Sequence, residues 1–357
     1  YHIRLRPGTN VAVLNMMLYF IIESKLQKED FILSRTEGFE NFLKGIKKLN
    51  IDQLAKVAGV DKQQVKEAAI AYATAGNSME FHGLGVTEHE QGSKTVMLIA
   101  DLAMITGNIG RQGVGVNPLR GQNNVQGAAD MGCQPHQGAG YFPVADKKIQ
   151  NFYTEKYGVV HPTKAGLKIP QIFDAAINKE VKAVWIIGED VVQTDPNSAH
   201  VAKAMNALDL LVVQEIFLSE TAKHADVVLP GTTFLEKDGT FTNTERRVQR
   251  VNRAAEPLPG TKPDGVIVTD MMQKLGYDQK TYDADEVLAE IADVVPFFKG
   301  ITRERLGKLG LQWPVKEDGT DTKILHQKEF KLGKGRIKYF DWKESSELEK
   351  NKKEYPL

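Results

Sequence analysis

One cysteine, Cys133, stands in 357 residues, which excludes an internal disulfide. It also leaves too few thiolates for an iron–sulfur cluster, which takes about four. Net charge is absent as well: 46 Lys and Arg offset 46 Asp and Glu, so there is no basic footprint for nucleic acid. No apolar run reaches the roughly 18 residues of a membrane span. The nearest, Val11 to Ile22, is interrupted by Asn15 and reads as a buried helix. There is no Gly-x-Ser-x-Gly elbow, no P-loop and no Ser/His/Asp arrangement. His82, His89, His136 and His224 share no close metal-ligand spacing and read as structural or surface residues, with His136, near the glycine-rich loop described next, the one to test. Cys133 reads as a buried, inert thiol. No basic–apolar–small export pattern is present, and a cytoplasmic location is expected, with the periplasm as the alternative.

What the chain has in abundance is concentrated in one segment, Gly107 to Gly127. Six of its 21 residues are glycine and none is acidic. Glycines at that density remove side-chain bulk and allow positive φ, so the backbone can approach a ligand closely. Asn117, Arg120, Gln122, Asn123, Asn124 and Gln126 add donors and acceptors for which an apolar core has no use. Loops of this kind bind anions or polar heterocycles.

The string Gly107-Asn-Ile-Gly-Arg-Gln-Gly-Val-Gly-Val-Asn-Pro-Leu-Arg-Gly-Gln-Asn-Asn-Val-Gln-Gly127 closely resembles a segment of molybdenum- or tungsten-dependent formate dehydrogenase alpha subunits, in the bis-molybdopterin guanine dinucleotide oxidoreductase family. Arg6-Pro-Gly-Thr-Asn10, Gly83-Leu-Gly-Val-Thr87, Gly188-Glu-Asp190, Thr194-Asp-Pro-Asn197, Ala225-Asp-Val-Val-Leu-Pro230, Glu236-Lys-Asp-Gly239 and Asn243-Thr-Glu-Arg-Arg247 follow in the family's order. The resemblance implies oxidation of formate to carbon dioxide. Electrons would pass from a bis-pterin cofactor carrying molybdenum or tungsten to iron–sulfur centres, and then to iron–sulfur or NAD-reducing partner subunits. It also implies that a [4Fe-4S] module and the metal's Cys or selenocysteine ligand lie outside this chain, so no metal ligand is expected within it. Glu354-Tyr-Pro-Leu357 resembles the opening of a C-terminal β-barrel, and the chain is expected to be the middle of a larger subunit, inactive alone. A nitrate reductase-like relative and a metal-free scaffold subunit of a respiratory complex are the alternatives. Retention of Arg120, Gln122, Asp190 and Arg246 together weighs against the scaffold.

Hydrophobic periodicity predicts an α/β protein of two lobes, with mainly parallel sheets flanked by helices in the Rossmann-like manner. Apolar positions 13, 14, 17, 18, 21 and 22 define a helix from an Asn10 cap to about Lys25, and Asp61 with Gln64 marks another to Ala75. Strand 78–82, a glycine turn and helix 95–106 make a βα unit. Strands 183–187, 210–214 and 226–229 alternate with helices 170–179 and 198–208, and helices follow near 265–275 and 285–294. The lobes are placed at 1–120 and 121–296, with 297–357 as a connector toward the barrel.

In such sheets ligands sit beyond the carboxyl ends of strands. Asp190 and Thr194 follow one strand end, and Gln214 and Glu215 the next, so two strands deliver polar residues to one edge. Gly8, Thr9 and Asn10 are read two ways, as a nucleotide contact and as a turn with an N-cap. By resemblance, Gly8, Thr9 and Asn10 contact guanosine, and Leu84 and Glu88 line the pterin. Lys237, Arg246 and Asp264 hold phosphate and guanine, with Gly265 where the family often has Trp. Arg120 orients formate, its planar fork matching a carboxylate, and Gln122 positions substrate and touches pterin. A cofactor phosphate or an acid at a domain interface is the other reading for Arg120.

Overall fold

The computed structural model describes residues 1–345, so Glu354–Leu357 lie outside the described residues. The chain divides into two compact units, Tyr1–Gln122 with Lys323 onward, and Asn123–Thr322.

The first unit is built around the helix Asn10–Glu23, where Val11, Ala12, Met16, Leu18 and Ile21 are buried. Its near-continuous apolar composition suits a helix surrounded on several sides. Helices Ile51–Ala58, Lys62–Thr74 and Gly92–Ile105 pack on it. Thr9, not Asn10, occupies the cap position, and its hydroxyl donates to the Arg6 carbonyl at 2.6 Å instead of capping. Asp61 does cap, accepting from the Gln63 N–H at 2.9 Å. Strands Met79–His82 and Gly115–Pro118 pair in parallel, Glu80 opposite Val116 and His82 opposite Pro118. The helix Gly92–Ile105 lies between them in sequence, which completes a βαβ crossover.

The second unit holds the parallel sheet Ala183–Ile187, Leu210–Glu215 and Val227–Pro230, in that spatial order. These strands are rich in β-branched residues, which pack well on a pleated surface. Phe173 and Ala176 from the helix Ile169–Ile177, and Val201, Ala204 and Met205 from Ser198–Ala207, bury Ile186, Leu211 and Val213. A separate antiparallel hairpin, Gly239–Thr242 with Arg247–Val251, is extended by Leu311–Gln312.

The expected connector from residue 297 is replaced by two different arrangements. Phe298, Ile301, Leu306 and Val315 join Val248 and Leu288 in the second unit's core, while Ile337 returns to the core of the first. Apolar residues spaced through a polar stretch account for this, because each has somewhere to be buried. Cys133 is exposed rather than buried. It sits in the turn after the helix Val125–Asp130, where its N–H donates to Ala128 at 3.1 Å. No helix among the described residues is long and apolar enough to cross a membrane.

Candidate functional site

Register brings the second unit's candidate residues to one edge. Ile187 pairs with Gln214 and Gln214 with Leu229. The Gly188 N–H donates to Gln214 O at 2.9 Å and the Gly231 N–H to Glu215 O at 3.0 Å. This is the carboxyl edge of a parallel sheet, where loops diverge and leave room for a ligand. Gln214 is 1% exposed; its Nε2 donates to Asp264 Oδ1 at 2.7 Å, and its buried Oε1 has no partner among the described residues. The other oxygen of Asp264 accepts from Lys237. Gly231 lies so near that a Cβ there would stand 3.2 Å from Asp264 Oδ1. A cavity of about 380 Å³ belongs to the first unit, and one of about 260 Å³ opens beside the Lys237–Asp264 pair, lined by Asn124, Lys237, Asp264 and Tyr282 and by the apolar Leu288 and Phe298. An ammonium and a carboxylate facing one space can read the donors of a polar heterocycle and offset an anion.

The other candidates on this edge serve the loops. Asp190 accepts from the Thr221 hydroxyl at 2.6 Å, the Thr221 N–H at 2.8 Å and the Glu220 N–H at 3.3 Å. Burial works against its charge, but the Thr221 donors outweigh it and hold the carboxyl below its ordinary range. Thr194 donates to Glu189 Oε1 at 2.7 Å, and Glu215 Oε1 accepts from the Ile216 N–H at 2.7 Å. Arg246 is not brought to the Lys237–Asp264 cavity. With φ of 66° its side chain turns to donate to the Trp313 and Thr322 carbonyls, and its guanidinium lies 5.3 Å from the Trp313 ring centroid. The indole N–H of that Trp313 donates to buried Asp130 at 2.8 Å, which also accepts from Gln126 at 2.8 Å and Tyr141 at 2.7 Å.

In the first unit, Gly8, Asn10 and Glu88 converge on the cavity of about 380 Å³, together with Gln91, Thr95 and Lys343. Thr9 is buried beside them. Gln91 is fixed there, accepting from the Lys343 N–H at 2.8 Å and donating to the Asp341 carbonyl at 3.0 Å. Leu84 is exposed on the short helix Leu84–Thr87, and Arg120 and Gln122 are exposed after the strand Gly115–Pro118. Leu84 and Arg120 therefore follow the carboxyl ends of two paired parallel strands.

Sequence reasoning missed what lies beneath Arg120. The Leu119 N–H donates to the His82 carbonyl at 2.7 Å. His82 is buried, with Nδ1 unpartnered among the described residues. Burial, aided by the Arg120 charge, pushes its imidazole below its ordinary pKa. Glu80 projects on the same side of the strand two residues earlier. It accepts from the Tyr72 hydroxyl, and burial pushes its carboxyl up to about 7. Alternation of Glu80 and His82 along a strand was the available signal. Among the described residues no three His, Cys, Asp or Glu are grouped to hold a metal ion.

The molybdopterin oxidoreductase family model matches residues 1–274, three quarters of the chain. This chain belongs to the molybdopterin oxidoreductase family. It is 44% identical over 361 residues to the F420-dependent formate dehydrogenase subunit alpha of Methanocaldococcus jannaschii, covering 100% of this chain and 53% of that protein. It is 38% identical over 363 residues to formate dehydrogenase H of Escherichia coli, covering 100% and 50%. The chain thus spans about half the length of these curated relatives. Acetylene hydratase from Pelobacter acetylenicus shares the fold, with a TM-score of 0.64 at 20% identity over 85% of this chain and 44% of that one. Family membership implies a molybdopterin cofactor. The residues fit such a group: the buried Gln214 Oε1 lacks a partner among the described residues, and the Lys237–Asp264 pair presents a cation and an acceptor to a polar heterocycle.

Proposed function

We propose that the chain is the central portion of a formate dehydrogenase alpha subunit, oxidising formate to carbon dioxide and delivering electrons to iron–sulfur or NAD-reducing partner subunits. The cofactor of this reading is bis-molybdopterin guanine dinucleotide with molybdenum or tungsten, and a [4Fe-4S] cluster is held by other parts of the subunit. When bound, that cofactor supplies the two-electron redox chemistry, while protein groups bind, orient and set the charge around it. Similarity over the whole chain to formate dehydrogenase alpha subunits supports the reaction.

The observation that carries the substrate assignment is Arg120, exposed just beyond the carboxyl end of the strand Gly115–Pro118 and close enough to buried His82 to depress its protonation. A guanidinium fork fixes both carboxylate oxygens of formate at once, which limits the reacting C–H bond to one orientation. Burial and the Arg120 charge both disfavour the charged form of His82, which limits competing positive charge there. Gln122, two residues on and exposed like Arg120, is the amide donor of this reading. Gly8, Asn10 and Glu88 in one cavity, and Lys237 and Asp264 in the other, provide for two nucleotide ends.

Replacing Arg120 tests this in the complete enzyme. Arg120→Lys keeps the positive charge but loses the planar fork. Metal and pterin content should be unchanged while formate turnover falls by roughly a hundredfold, the loss expected of a misplaced substrate. Undiminished turnover would remove Arg120 from the active site.

A further inference from the structure

One aromatic ring beside the Lys237–Asp264 pair is assigned no role by the reading above. Tyr282 precedes the helix Ala284–Val294 and lines the cavity of about 260 Å³. It also lines a neighbouring cavity of about 250 Å³, again with Lys237. Its ring is pressed against Gly265, where a Cβ would stand 2.2 Å from Tyr282 Cε2 and 2.4 Å from Cζ. Gly265 lies in the first turn of the helix Asp264–Lys274, a place where glycine brings no conformational benefit and costs up to about 1 kcal/mol relative to alanine. The glycine is therefore explained by the ring it admits. Tyr282 is only partly buried, so the ring is a partition between two openings and not a core filler.

We propose that Tyr282 is the stacking wall of this cavity, against which a guanine base lies with its donor edge toward Asp264. The proposal rests on the reading of the chain as a molybdopterin guanine dinucleotide enzyme and adds to it a residue and a mode of base recognition. An aromatic face beside a carboxylate matches guanine on two counts. The ring supplies stacking, worth about 1–3 kcal/mol per base, and the carboxylate accepts from the base's N–H groups. Burial and the Asp283 and Asp264 carboxylates raise the phenol's pKa, so the ring stays neutral.

Guanosine monophosphate is the probe, titrated calorimetrically into the purified chain, with thermal melts confirming that each variant folds. The wild-type chain binds it. Tyr282→Phe keeps that affinity, because the ring remains, whereas Tyr282→Ala weakens binding roughly tenfold or more. Gly265→Ala weakens it too, by displacing the ring. The double variant Gly265→Ala/Tyr282→Ala is no weaker than Tyr282→Ala alone, since the two changes remove one interaction. Wild-type affinity in Tyr282→Ala overturns the proposal, as does a wild-type chain that binds no guanosine monophosphate. Formate turnover and pterin content of the complete wild-type enzyme judge the functional reading separately. Their presence alongside either negative titration leaves that reading intact and removes only the stacking wall.

Discussion

The two units treat polar groups in opposite ways. In the second, carboxylates are surrounded by donors: Asp130 by Gln126, Tyr141 and Trp313, Asp190 by Thr221 and Glu220, and Asp264 by Gln214 and Lys237. In the first, carboxyl groups are buried with little support. Glu80 has the Tyr72 hydroxyl on one oxygen and none among the described residues on the other. Asp101, 1% exposed, accepts from the Lys338 N–H at 3.2 Å. Burial pushes Asp101 up to about 8 and Glu80 up to about 7. Donors around Asp190 hold its carboxyl below its ordinary range, whereas a carboxyl buried almost alone, as those of Glu80 and Asp101 are, becomes a group that titrates near neutrality.

The largest expected effect tests the second unit's half of this contrast. Asp130→Ala strands the Trp313 indole, the Tyr141 hydroxyl and the Gln126 amide together, and it removes a charge beside Arg246. Destabilisation of about 3–5 kcal/mol is expected in urea unfolding. A loss below about 1 kcal/mol would mean that the network is decoration and that the units do not differ in this respect.

The pH dependence of stability sharpens the other half. For Glu80 and Asp101 the folded state holds protons that the unfolded state has released, so their contribution to folding stability is fully present below about 4 and is lost as pH rises through about 8. The Glu80 contribution is on the order of 3 kcal/mol. His82, depressed in the folded state, acts in the reverse sense below its ordinary pKa. Asp190 is also reverse: its carboxyl is lowered, so its contribution is present at neutral pH and is lost in acid. Glu80→Gln and Asp101→Asn should flatten the neutral-range slope of the first unit, followed by hydrogen exchange of its amides. An unchanged slope in the double variant would show that these acids do not titrate in this range.

Legibility in the sequence follows the same division. The helix Asn10–Glu23 and the strands Met79–His82, Ala183–Ile187, Leu210–Glu215 and Val227–Pro230 were readable because their apolar spacing is continuous. Helices Phe39–Ile46 and Ile51–Ala58 went unnoticed, being short segments that tertiary packing must stabilise. The hairpin at 239–251 was hidden by charges in Arg247-Val-Gln-Arg-Val251, although Val248 between them is fully buried. Gln214, Lys237 and Asp264 were found through strand ends and family motifs, and the structure brings them together. Arg246 looked like one of them. Its left-handed backbone and its long-range partner Trp313 are invisible in a linear pattern. Tyr282 was missed for the same reason, since its meaning lies in a contact with Gly265.

The smallest expected effect asks whether the contrast stops at buried groups. Each unit has a helix with an exposed aspartate cap. Asp61 accepts from the Gln63 N–H at 2.9 Å in the first, and Asp283 accepts from Asp285 and Glu286 N–H groups at 2.8 and 3.0 Å in the second. A cap satisfies helix N–H groups that would otherwise rely on water, and this benefit depends on local geometry rather than on the surrounding core. Asp61→Ala and Asp283→Ala should therefore each cost about 1 kcal/mol in thermal or urea unfolding. Asp283 adjoins Tyr282, so its loss should also loosen the ring and modestly weaken guanosine monophosphate binding, whereas Asp61→Ala leaves binding untouched. If the two stabilities differ by much more than 1 kcal/mol, the units diverge at their surfaces too, and a contrast drawn from Glu80, Asp101, Asp130 and Asp190 alone is too narrow.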